Sequence, residues 1–275
     1  ILPKIIMLIE LSILFAFGAM LFWGIGDFLI QKTVRKLGDI ETLAFIGVVG
    51  SIGLIPFIWR QISLLSNPSF LFILIALGII SFFTATANFE ALKKGKLSVI
   101  DIILEIELPI TVFLGIIFFK EILTPFQFIM ILIIFIGLML TAFKGHVANY
   151  FKSLERGIFL AIVAAVGYGM INFLTALSSK QISPLMAIWV PWIIFTLVCV
   201  VLIIKKGEMK KLIANSKKHY SLILSVGVFD TAAWVFYSFA LFKNELSITT
   251  AITEGYPALA LFLGIWLNKE KINWH

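Results

Sequence analysis

Cysteine is almost missing. Cys199 is the only one in 275 residues, so no intrachain disulfide can form and the redox compartment stays open. Histidine is nearly as scarce, and His146, His219 and His275 fall between apolar runs or at the end of the sequence. That excludes a Ser-His-Asp arrangement or a histidine metal cluster inside any apolar segment, so no catalytic site, metal or cofactor is expected. Charge is thin, at 13% of residues against about 25% in ordinary soluble domains. No Gly-x-x-x-x-Gly-Lys-Ser/Thr loop occurs, so direct ATP drive would need another subunit. Gly24-x-Gly26 lacks the strand before and helix after that a dinucleotide loop requires.

What fills the chain is apolar. Hydrophobic residues make up 61% and mean hydropathy is +1.08. A soluble domain of this length must keep a polar exterior, and this composition leaves too little to build one. Lipid removes that need. The formal charge of +7 does not indicate nucleic acid, because the basic residues sit in short clusters between apolar runs and form no continuous stripe.

A bilayer core of about 30 Å needs about 20 apolar residues in a helix. Nine stretches qualify, near 12–31, 41–60, 69–92, 97–119, 124–143, 156–178, 183–204, 219–242 and 246–268. The alternation over about ten residues that marks a membrane barrel is absent, so the spans are helices. Residues 1–22 read as the lead into span one, without a signal-cleavage pattern. Residues 205–218, KKGEMKKLIANSKK, are the one longer polar connection.

The halves resemble each other. ALKKGKLSVIDIILEIELPITVFLGIIFFKE (91–121) aligns without gaps to ALFKNELSITTAITEGYPALALFLGIWLNKE (240–270), an offset of 240 − 91 = 149. WGIGDFL (23–29) aligns to YGMINFL (168–174) at offset 145. The first copy holds five spans, and an odd number sends the second copy in from the opposite side. The expected fold class is an all-α membrane protein, a polytopic helical bundle of two inverted five-helix repeats over 1–150 and 151–275. Nine spans are visible, and the repeat implies a tenth beyond Trp274-His275, so a trimmed C-terminus is expected, as is a trimmed N-terminus before Ile1.

Particular residues carry a family resemblance: Trp23-Gly24 in span one, Leu108-Pro109 through Gly115 to Lys120-Glu121 in span four, Gln127 and Gly137 in span five, then Gly264 and Lys269-Glu270 in the second half. In their order and duplication they resemble the drug/metabolite transporter superfamily, specifically its EamA-like ten-helix members. The resemblance covers nearly the whole chain. It implies a central cavity lined by both repeats and worked by alternating access. Span four is more acidic than the family pattern, and the tenth span is missing. Seventeen Lys/Arg fall after odd-numbered spans and five elsewhere, which places the N-terminus outside. The resemblance implies cytoplasmic ends, so orientation stays open.

An ionisable residue at mid-membrane costs at least about 2.5–3.5 kcal/mol, so it needs a reason. Asp101 and Glu105 stand at i and i+4 in span four, on one face of a continuous helix, while Glu107 falls about 200° from Glu105 and faces elsewhere. Glu254 is the repeat mate of Glu105, and a two-fold axis would bring this pair together as a site for a proton or cation. Neutralisation by Lys94, Lys96 or Lys243 is the alternative. Asp27 and its mate Asn172, and likewise Asp230, either line the cavity or tie helices together. Trp23, Tyr168, Trp234, Tyr237 and Tyr256 lie within spans, where rings stack on a substrate or pack helices. Trp59, Trp189, Trp192 and Trp274 fit interfacial belts, and Glu121 and Glu270 read as structural charges beside lysines. Pro109 and Pro257 each remove a backbone hydrogen bond inside a span.

The expected function is secondary transport of a small polar or amphipathic metabolite, such as an amino acid or related compound, coupled to protons or not. Its partners would be the lipid bilayer and the metabolite, with no nucleic acid, in the plasma membrane; the oligomeric state stays open, and a monomer fits. A channel or non-transporting receptor is the alternative, and an enzyme acting on lipid lacks an interfacial catalytic cluster.

Overall fold

The computed structural model describes residues 2–94, 97–142, 155–257 and 259. Its elements follow the chain as α1 (Leu2–Leu37), α2 (Asp39–Ile58), a 3-10 segment (Trp59–Ser66), α3 (Pro68–Lys94), α4 (Leu97–Leu104), α5 (Glu107–Phe119), α6 (Pro125–Ala142), α7 (Glu155–Gln181), α8 (Met186–Lys205), α9 (Met209–Lys218), α10 (Tyr220–Lys243) and α11 (Leu246–Thr253). Seven helical stretches among the described residues are long and apolar enough to cross a membrane, and Pro125–Leu140 is a shorter apolar helix. Large side chains face outward: Phe72 is 73% exposed and Leu140 70%. In water these would be aggregation sites; in lipid they are solvated.

Span four departs from the expected single helix. It is broken at Glu105-Ile106 into α4 and α5. The cause is Pro109, which has no N–H for the carbonyl of Glu105 and whose ring crowds it. That carbonyl accepts instead from the N–H of Leu108 at 3.3 Å. Span nine breaks likewise, with α11 ending at Thr253, four residues before Pro257. At both breaks one tightened bond closes the turn: Ile106 N–H to the Ile103 carbonyl, and Gly255 N–H to the Ile252 carbonyl, each 3.2 Å. These pairs are 149 residues apart, the offset of the repeat. The remainder of span nine, with Gly264, Glu270 and Trp274, lies outside the described residues.

Helix packing follows the same relation. α1 packs chiefly on α10 and α3 on α7, and each pairing is the repeat mate of the other. The α2–α8 pairing maps onto itself. Membrane helices gain little from hydrophobic burial against one another, so close backbone approach and polar ties must hold them. Gly26 supplies one approach, since a Cβ there would lie 3.8 Å from the backbone nitrogen of Asp230. Ser179 and Ser238 supply a tie, their hydroxyls 2.6 Å apart between α7 and α10.

The connections carry their own devices. Gly38 ends α1 at φ 103 and ψ 166, a region open essentially to glycine, and donates its N–H to Val34 at 2.9 Å. Gly38→Ala is expected to cost about 1–3 kcal/mol, read as a lowered melting temperature in detergent. A Cβ there would also meet the Glu41 carboxylate at 2.6 Å. Residues 205–218, expected as a polar loop, contain the helix α9. Its Leu212 packs against the α2 and α8 side chains, and Lys211 pairs with buried Glu41 at 3.5 Å.

Candidate transport site

The two breaks face each other in the interior. Because the break resets the helical register, Glu107 does not face away as a continuous helix required. Its carboxyl lies within hydrogen-bond reach of that of Glu254. Glu254 is buried and Glu107 is partly accessible. Two carboxylates cannot bond to each other, since neither then has a donor; a bond between them requires one proton on the pair. Asn172 on α7 donates to Glu107 at 3.4 Å and to the Thr111 hydroxyl at 3.2 Å, holding α5 against the second half.

Glu105 stands beside this pair, close enough to act on both carboxyls electrostatically, but the carboxyl within hydrogen-bond reach of Glu254 is that of Glu107. Asp101 has its backbone in α4, and its side chain lies outside the described part of the chain. Among the described residues, the groups acting on Glu107, Glu254 and Asp230 are carboxyls and neutral side chains. Lys243, a candidate counter-charge, instead sits 4.4 Å from the centre of the Phe242 ring. The side chains of Lys94 and Lys96 lie outside the described part.

A ring cluster adjoins the carboxyls. Trp23 stands edge-on to Trp234 at 5.0 Å, with Tyr237 at 5.2 Å and Tyr256 at 6.1 Å from it. Trp192 joins at 5.8 Å from Trp234 and donates to Thr231 at 3.4 Å. It is therefore an interior ring and not an interfacial one. Trp189 is also held inside, its ring N–H on the Ser51 carbonyl at 2.9 Å, whereas Trp59 is 71% exposed, as a belt residue would be. Tyr237 is fully buried, its hydroxyl 2.7 Å from that of Thr250 on α11. Tyr168 stands apart from the rings; its hydroxyl accepts from Asn88 at 3.1 Å and feels Glu107, Asp27 and Asp230.

The helical spacing explains the convergence. Trp23 and Asp27 are i and i+4 on α1; Tyr168 and Asn172 are i and i+4 on α7; Asp230, Trp234 and Tyr237 are i, i+4 and i+7 on α10. Each set therefore occupies one face. Trp23, Trp234, Tyr168 and Tyr256 touch partners inside the bundle yet keep part of their surface accessible.

A second polar group lies at one end of the bundle. Lys120 ends α5 in the left-handed conformation, φ 57, and turns Glu121 toward α11. The Glu121 carboxylate accepts from the N–H of Leu246, from the N–H of Ser247 at 3.1 Å and from the Ser247 hydroxyl. It thus caps the N-terminus of a half-helix in the other repeat, a role its place beside Lys120 did not reveal. A cleft of about 650 Å³ opens beside it, lined in part by Lys180, Lys243 and Glu245.

Comparison with curated proteins gives no match. A crystal structure of a protein aligns over 95% of this chain and 90% of that one, at TM-score 0.76 and 13% identity, and so shares the fold. The sequence model of the EamA-like transporter family matches residues 10–143 and again 155–275. A polytopic helical bundle covered almost end to end by that match is a membrane transporter of the drug/metabolite superfamily, and the chain belongs to the EamA-like transporter family.

Proposed function

We propose that the chain is a secondary transporter of small metabolites, working by alternating access between inverted repeats 1–150 and 151–275 and coupled to protons through Glu107 and Glu254. One observation carries this reading. Carboxyls from the broken helices of both halves come within hydrogen-bond reach of each other, and a bond between them needs a proton. Deprotonation turns that attraction into repulsion between two buried charges, which favours parting the halves. Among the described residues, the groups acting on the pair or lying beside it include Glu105, Asp27, Asn172, Tyr168, Tyr237 and Tyr256, and none of these is basic.

Broken helices support the same reading, because irregular backbone at membrane depth is tolerated where it lines a cavity. The fit to a transporter in the plasma membrane is better than to a channel, since the interior is occupied by contacting rings. The test is a metabolite uptake screen in proteoliposomes with and without an imposed pH gradient. At least one compound should accumulate above its outside concentration only when the gradient is present. If every transported compound merely equilibrates in both conditions, proton coupling is wrong.

A further inference from the structure

We infer that the cleft at the ends of α5, α7 and α10 binds the headgroup of a bilayer phospholipid that carries both a phosphate and a primary ammonium, the phosphate on Lys180 and Lys243 and the ammonium on Glu245. The depth suits a headgroup. Lys120 follows the last residue of α5, Lys180 is one residue from the end of α7, and Lys243 ends α10. Ends of membrane helices lie at the headgroup level, and basic pockets between them recognise lipid phosphates.

The cleft of about 650 Å³ is lined by groups of both signs. Lys120, Lys180 and Lys243 make no ion pair among the described residues. The Lys180 ammonium stands 4.8 Å from the centre of the Phe119 ring, close enough to Glu121 and Glu245 to feel both. Glu121 is already engaged by the start of α11. Glu245 is not: its carboxylate accepts no hydrogen bond among the described residues, and one of its oxygens is buried. Its backbone N–H donates to the Asn244 side-chain oxygen at 2.9 Å, which leaves the Asn244 nitrogen buried without a partner. Unmatched cations and an unmatched amide donor therefore stand beside an unmatched carboxylate.

Polar groups left in this state are costly, and a ligand that supplies both kinds of partner relieves them. A phosphate offers acceptors to the lysines and the Asn244 amide. A primary ammonium offers N–H donors to Glu245. A purely anionic headgroup would leave Glu245 unmatched, and a quaternary ammonium has no N–H to give. The rest of the wall is apolar, from Ile13, Phe119, Ile122 and Ile248, and Ile122 is 85% exposed. Such a wall suits the glycerol and first methylenes of a lipid and offers nothing to a free headgroup.

The test titrates the full chain in nonionic detergent with short-chain lipids and counts bound molecules by native mass spectrometry. Dihexanoylphosphatidylethanolamine should bind saturably, at least about tenfold more tightly than the phosphatidylglycerol or phosphatidylcholine of the same chains, or than free phosphoethanolamine. Glu245→Gln should cut the preference for the ethanolamine over the glycerol lipid to below about twofold. Lys180→Gln should weaken both by about tenfold. Equal binding of the ethanolamine lipid and either other lipid, no saturable binding, or an undiminished preference in E245Q overturns the inference. Free phosphoethanolamine binding as tightly as the lipid would make this a site for a soluble phosphate and also overturns it. The wild-type ranking decides even if a variant fails to fold. Binding needs no gradient, so the outcome is independent of proton coupling at Glu107 and Glu254.

Discussion

Glu107→Gln and Glu254→Gln are each expected to reduce gradient-driven accumulation to simple equilibration, while exchange of substrate across the membrane with no gradient continues. A glutamine keeps the shape and the hydrogen bond but cannot release a proton. Either change therefore removes the proton-linked repulsion that couples parting of the halves to the gradient, while the neutral amide stands in for the protonated carboxyl and leaves exchange open. Glu105→Gln should do much less, because Glu105 acts on the pair from beside it and does not share its bond. Paired uptake and exchange assays in proteoliposomes separate these outcomes. Loss of accumulation in Glu105→Gln with retention in Glu107→Gln would restore the pairing of Glu105 with Glu254 that the repeat alone suggests.

The largest effect on stability is expected at Glu121. Its carboxylate meets two backbone N–H groups and a hydroxyl at the start of α11, and it is only 9% exposed. Removing it leaves buried donors with nothing to replace water, at about 1–3 kcal/mol each. Glu121→Ala should therefore cost about 2–5 kcal/mol and lower the melting temperature in detergent more than any other substitution considered above. Glu121→Gln keeps one acceptor oxygen and should recover roughly half of that loss. Equal melting temperatures for wild type and Glu121→Ala would show that α11 is held by its packing alone. Since α11 leads to Glu254, the cap also fixes the height of one member of the carboxyl pair.

The spans were legible because hydropathy is an average over about 20 residues and a bilayer demands little else. That same averaging hid the breaks. A two-residue turn at Glu105-Ile106 barely changes the mean over span four, yet it turns everything after it to a new direction. The signal was present in Pro109, four residues on, because a proline's ring acts on the carbonyl at i−4. Reading it that way would have put Glu107, and not Glu105, on the partner side. The ring cluster was mostly visible as aromatic residues inside spans. Trp192 was assigned to an interface although it lies well inside span seven, and its partners Trp234 and Thr231 come from another helix. The role of Glu121 depended on a contact 125 residues away, which no local pattern encodes.

The most direct measurement is of the proton itself. Proteoliposomes loaded with a pH-sensitive dye and given an outward gradient of a transported substrate should show a matching proton movement, blocked in Glu254→Gln while substrate exchange persists. Substrate flux with no change in internal pH in the wild type, or the same pH change in Glu254→Gln, would contradict a proton carried between Glu107 and Glu254.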